Sequence, residues 1–142
     1  LMQPEVSYER GYCRPECNRC SQVCPTGAIQ PVTVEERTAI QVGHAVWTRD
    51  LCIPVRDGKT CGLCARKCPA QAIQMVPLVQ GVHFDGRRWL DADNQPIPRE
   101  QALLIPVVNE EMCIGCGACE NLCPSRPLSA IHVEGHEVHR EI

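Results

Sequence analysis

Residues 113–124 read Cys-Ile-Gly-Cys-Gly-Ala-Cys-Glu-Asn-Leu-Cys-Pro: four cysteines spaced x2, x2 and x3, with a proline directly behind the last. Two upstream stretches repeat the pattern. Cys13, Cys17, Cys20 and Cys24 precede Pro25, and Cys52, Cys61, Cys64 and Cys68 precede Pro69. All three groups end C-x2-C-x3-C-P, and the first gap alone varies, at x3, x8 and x2 in chain order. A repeat of this kind is one structural unit used three times. It extends past the cysteines to an Ala-Ile pair behind each group: Ala28-Ile29, Ala72-Ile73 and, three residues later than the spacing expects, Ala130-Ile131. Val46 and Val107 each lie six residues before the first cysteine of the second and third groups. Each unit therefore predicts a short extended segment, a cysteine-lined loop, one helical turn ending at Cys-Pro, and another short strand. A proline just behind the last cysteine suits a chain leaving a helical turn.

Composition agrees that the cysteines organise the chain. There are 12 in 142 residues, aromatics make only 4%, and Gly and Pro number 10 and 12. A sizeable conventional apolar core is not expected, and disorder is not indicated either, so something besides hydrophobic burial must hold the fold. The net charge of −3, with no basic stripe, argues against a nucleic-acid partner. The longest apolar stretch, Ala102 to Val108, is interrupted by Pro106, so no transmembrane segment is expected in this chain.

Three uses of the thiols compete. Disulfides staple many small cysteine-rich chains, but cysteines three apart on one turn converge on a single point and are poorly placed to bridge elsewhere. Zinc sites usually combine two separated Cys pairs, whereas here three or four cysteines sit together with no accompanying His pair. The third use is the [4Fe–4S] cluster. Thiolates are soft ligands, and C-x2-C-x2-C-x3-C-P is the bacterial ferredoxin run. Three cysteines on one loop cap three irons, while the fourth, beyond the helical turn, points away and ligates a neighbouring cluster. Gly62, Gly115 and Gly117 would let the backbone approach and donate N–H groups to sulfur. The Cys13-x3-Cys17-x2-Cys20 spacing is shared with radical SAM enzymes, but Cys24-Pro25 follows at once and the chain has no room for a barrel of about 200 residues or more.

The segments between the groups carry their own signals. Thr33-Val34-Glu35-Glu36 is a helix-start signature, followed by a partly apolar stretch to His44. Within the long insert, Val82-His83-Phe84, Asp85-Gly86 and Arg87-Arg88-Trp89 read as a hairpin, and Asp93-Asn94-Gln95-Pro96 is a second turn. His132, His136 and His139 have metal-ligand spacing, although solvated side chains on a Glu-rich tail are the ordinary reading. No nucleotide-binding loop, Ser-His-Asp set or paired-carboxylate arrangement is present, so no catalytic residue is assigned. The expected layout is α+β, with ferredoxin-like tandem [4Fe–4S] modules of short hairpins and short helices. Residues 1–76 form a paired-cluster module, 77–106 an insert, and 107–142 the third motif and tail.

Three elements together resemble a known group. They are Tyr12-Cys13-x3-Cys17-x2-Cys20-x3-Cys24-Pro-Thr-Gly-Ala-Ile-Gln-Pro, then Ile40-x-x-Gly-x-Ala, then Cys52-x8-Cys61-x2-Cys64-x3-Cys68-Pro. The group is the four-cluster accessory ferredoxins associated with periplasmic nitrate reductase and methylamine utilisation, whose last motif Cys113 to Pro124 is similar to. The likeness covers most of residues 8–134, and the x8 gap is its most specific element. It implies a polyferredoxin of which this chain holds motifs two to four. Leu1-Met2-Gln3-Pro4, similar to Ala28-Ile29-Gln30-Pro31, fits a start just behind an upstream cysteine group. In such proteins the inner motifs exchange fourth cysteines. Carried over, one cluster takes Cys13, Cys17, Cys20 and Cys68, and a second takes Cys52, Cys61, Cys64 and Cys24. The third takes Cys113, Cys116 and Cys119, with its fourth ligand missing or supplied by Cys123. Two clusters are thus expected, and a third is possible.

The implied role is electron transfer within a larger redox system, with redox protein partners that include a membrane subunit handling quinol. Two other classes stay open at this point: clusters that merely order an interaction module, and an electron-input domain of a larger oxidoreductase. The compartment is open as well, since the resembling proteins include exported ones.

Overall fold

The computed structural model describes residues 5–142, so the expectation placed on Leu1 to Pro4 lies outside the described residues. The three cysteine groups each close on one short helix: α1 (Arg19–Val23), α4 (Leu63–Lys67) and α5 (Ala118–Leu122). The residue that terminates each is the fourth cysteine, Cys24, Cys68 or Cys123, in extended conformation. The proline behind it cannot continue the helix, so five residues is as long as these turns grow. Between α1 and α4 lie α2 (Val34–Ala39), β1 (Ile40–Trp47) and α3 (Ile53–Arg56). Between α4 and α5 lie β2 (Ile73–Pro77), β3 (His83–Phe84), β4 (Trp89–Leu90), β5 (Pro96–Ile97) and β6 (Leu104–Val108), and β7 (Ile131–Glu141) follows α5.

Local sequence explains most of these elements. Thr33 and Glu36 form a reciprocal cap on α2, with the Thr33 amide donating to Glu36 Oε2 at 2.8 Å and the Glu36 amide to Thr33 Oγ1 at 3.2 Å. The stretch to His44 that follows is strand, β1 beginning at Ile40 directly behind the helix. The Asp85-Gly86 hairpin joins β3 to β4 with Phe84 opposite Trp89. Asp85 Oδ1 accepts from the amides of Arg87 and Arg88, which pins the turn. Asp91 does the same for the second turn, accepting from Asp93 and Gln95 ahead of β5.

Three small antiparallel sheets result: β1 with β7, β2 with β6, and β3-β4-β5. The strand expected before the second group is β1 and that before the third is β6. Those behind the second and third groups are β2 and β7, and among the described residues the first group has neither. Strands before and after the insert therefore pair with one another twice. Pro106 sits inside β6 opposite Met75, which a two-stranded sheet allows because one edge needs no amide donor. The architecture is α+β.

The core is small and lined with sulfur. Cys52, Cys113, Cys119 and Cys123 pack with Ala45 and with both downstream repeat pairs, Ala72-Ile73 and Ala130-Ile131. Ile131 is 1% exposed, whereas Ile29, its counterpart behind the first group, is 46% exposed. The first group thus repeats the sequence of the other two without repeating their burial.

The loop of the third group is held against β1 backbone to backbone. The Val42 amide donates to Ile114 O at 3.2 Å, and a Cβ added at Gly115 would come within 2.7 Å of Gly43 N. One at Gly43 would strike Glu134 O across the sheet. The glycine in the Ile40-x-x-Gly-x-Ala element therefore permits a three-layer backbone contact that no side chain would fit.

Candidate metal centre

Cys52, Cys61, Cys64 and Cys123 line one cavity, together with Trp47, Met75 and Ile131. Cys24, which the implied exchange put with the first three of these, does not line it. Cys123 stands in that place because the β1–β7 pairing and the Thr48 amide, donating to Ala130 O at 2.7 Å, bring the end of the third group over the second. Packing of α4 against α5 completes the arrangement.

On the other side, Cys68 packs against the core that holds Cys113 and Cys119. Cys113, Cys116 and Cys119 are buried, and Cys68, Cys113 and Cys13 each push the Cys116 pKa further above the ordinary thiol value, after burial itself. The structure thus brings Cys68 to the third group, where the implied pairing had it with Cys13, Cys17 and Cys20. Cys13 is also close by, its amide donating to Cys116 O at 2.8 Å. Cys17 and Cys20 are exposed.

Each fourth cysteine is fixed by the Ala-Ile repeat. The Ala72 amide donates to Cys68 Sγ and the Ala130 amide to Cys123 Sγ, both at 3.4 Å. Around Cys24 the Ile29 amide, the Thr26 hydroxyl and the Thr26 and Ala28 amides lower the thiol pKa to about 7. Local N–H groups therefore favour thiolate at Cys24. Burial does the opposite in the core, raising Cys64 to about 11 and Cys119 to about 12, with neighbouring thiols adding to it. Buried thiols of this kind ionise when a metal supplies the countercharge.

The donor sets fit iron–sulfur clusters. Among the described residues no three His, Cys, Asp or Glu side chains converge closely enough to hold a single metal ion, His132, His136 and His139 included. The four thiols instead stand around a shared space. The buried Trp47 Nε1 beside it has no hydrogen-bond partner among the described residues. It lies close enough to Cys52 to favour its thiolate against burial, and a sulfide-rich group in this cavity would give that N–H an acceptor.

Several supporting residues carried no signal in the sequence. Arg37, 6% exposed, donates from Nη2 to Cys13 Sγ at 2.8 Å. Gln41, also buried, donates to the carbonyls of Glu110 and Cys113 and so ties the entry to the third group onto β1. Ser125 is fully buried, donates to Leu51 O at 2.6 Å and accepts from Arg56 Nη1 at 3.3 Å. Tyr8 donates to Gly115 O at 2.9 Å, and its pKa is pushed up to about 12, chiefly by burial. A left-handed Gly117 (φ 78°) leaves room for that ring, since any Cβ there would overlap it.

Residues 59–128 match the model of the 4Fe–4S dicluster domain, the stretch that holds Cys61 to Cys68 and the whole third group. This stretch of the chain carries a 4Fe–4S dicluster domain. It is 33% identical over 106 residues to the methylamine utilization ferredoxin-type protein MauM of Methylobacillus flagellatus, covering 73% of this chain and 37% of that one. With MauM of Paracoccus denitrificans it shares 32% over 111 residues, 73% and 39% of the two chains. The ferredoxin-type protein NapG of Escherichia coli is 28% identical over 105 residues, again 73% and 39%. The chain thus spans about two fifths of the length of these relatives. The cofactors that the domain match gives the chain are [4Fe–4S] clusters. Among the described residues no helix is long and apolar enough to cross a membrane.

Proposed function

We propose that this chain is an electron relay built on a two-cluster core, acting as a carrier and not as an enzyme. Cys52, Cys61, Cys64 and Cys123 hold one cluster, and Cys113, Cys116, Cys119 and Cys68 hold the other. The observation that carries this assignment is the presence of Cys123 in the cavity lined by Cys52, Cys61 and Cys64. When bound, a [4Fe–4S] cluster stores and releases an electron at a potential set by burial and by hydrogen bonds to sulfur. Four thiolate ligands leave no iron position open to a substrate, which favours carriage over catalysis.

The residues also order the relay. The Cys13 amide donates to Cys116 O and α4 packs against α5, which supports a third group lying between the other two. The first group keeps Cys13, Cys17, Cys20 and Cys24, with Arg37 donating to sulfur at its inner end. Its exposed Ala28-Ile29 is the face that a further cysteine unit would cover. These tandem modules would serve a larger redox system, in which a quinol-handling membrane subunit is the partner class implied by the resemblance.

Stepwise reduction of the anaerobically purified protein with dithionite, followed by electron paramagnetic resonance, tests the reading. At least two clusters should reduce and reoxidise reversibly. Clusters that stay silent would mean that the metal merely orders an interaction module.

A further inference from the structure

The insert contains an open cleft of about 670 Å³ that borders the core site at Cys61. Its floor is apolar, with Ile97 and Leu104, and its walls include Phe84 and Trp89, whose ring centroids are 5.3 Å apart. Three guanidinium groups also line it: Arg87, Arg88 and Arg99. Among the described residues no carboxylate does. Arg88 shares a long 3.8 Å ion pair with Asp85, while Arg87 and Arg99 have no ion pair among the described residues. A cationic cleft in a chain of net charge −3 runs against the overall sign.

We propose that this cleft is the port through which the outer core cluster exchanges electrons with an acidic one-electron redox protein. Cys61 lines both the cleft and the cavity of that site, so a partner seated here lies against a cluster ligand. One electron passes between the cluster held by Cys52, Cys61, Cys64 and Cys123 and the partner's one-electron centre, oxidising one and reducing the other. Arginines flanking exposed aromatic faces are the chemistry of a protein interface whose core is apolar and whose rim is charged. Phe84 is 54% exposed and all three arginines are exposed. Small-molecule sites enclose about 70–90% of their ligand, which this open cleft would not do. The proposal rests on the electron-relay reading.

The test uses the cluster-loaded protein with flavodoxin as an acidic redox probe and cytochrome c as a basic one. Reversible reduction is established before any probe is added, so failure of the relay reading shows at that stage and failure of the port shows only afterwards. Binding of oxidised flavodoxin, read by biolayer interferometry, should weaken steeply between about 20 and about 300 mM salt. The paired substitution Arg87→Glu and Arg99→Glu, both on exposed side chains, should weaken that binding and slow electron exchange with flavodoxin about tenfold or more at low salt. Iron content should be unchanged, and exchange with cytochrome c should be no slower. Unaltered flavodoxin binding and exchange in the charge-reversed protein would overturn the proposal, as would equal slowing with both probes. A stoichiometric aromatic anion released from purified protein on denaturation, and lost with the same substitutions, would overturn it in favour of a small-molecule site.

Discussion

At the scale of single residues, the fourth cysteines decide the molecule's organisation. Cys68 and Cys123 receive N–H groups from Ala72 and Ala130 and face across to the other group, whereas Cys24 is surrounded by its own loop. Cys123→Ser should therefore cost the Cys52, Cys61 and Cys64 site its fourth thiolate, giving a three-iron signal or the loss of about four irons. Cys24→Ser should leave both core signals intact, and paramagnetic resonance of the two variants side by side checks the contrast. Sequence spacing singled out the three cysteine groups and the Ala-Ile pairs behind them, because ligand geometry requires short fixed intervals. It gave no sign of Arg37, Gln41 or Trp47, whose roles depend on partners reached through tertiary packing.

At the scale of elements, short helices ending at Cys-Pro and turns fixed by Asp85 and Asp91 were legible because their causes are local. The pairing of β1 with β7 was not, since it joins residues about a hundred positions apart and neither strand names its partner. That pairing nonetheless carries the core. Ile131, opposite Trp47 and 1% exposed, packs among the cysteines. Ile131→Ala should cost about 2–5 kcal/mol, seen as a lower denaturant midpoint under anaerobic conditions.

The same sheet carries a proton-sensitive contact. Between the Gln41–Arg140 and Gly43–Gly135 pairs the register shifts, and there His44 Nδ1 lies 2.9 Å from His136 Nε2. Burial holds the His136 pKa below the ordinary histidine value, helped by Arg140, His44 and His139 and opposed by Glu110. The unfolded chain therefore takes up a proton below about pH 6.5 that the folded chain resists. Stability should be full above that pH, fall as the pH drops through it, and level off below the folded-state pKa. Denaturant midpoints at stepped pH should show this decline in the wild-type protein and a smaller one in His136→Gln.

At the scale of the whole molecule, the second and third groups share a sulfur-lined core, and the first group docks on it through Tyr8 and Cys13. The insert faces outward beside Cys61. Repetition in the sequence shows three like units but not which two share ligands, because like units carry like motifs. Burial distinguishes them: the Ala-Ile pairs of the second and third groups are buried and that of the first is open. The decisive measurement is iron and acid-labile sulfide per chain, under strict anaerobiosis, in a variant with Cys13, Cys17, Cys20 and Cys24 all changed to serine. Retention of about eight irons with matching sulfide is expected, since neither core cluster draws on the first group. A fall to about four or fewer would show that the first group supplies core ligands, and would contradict the exchange between the second group and the third.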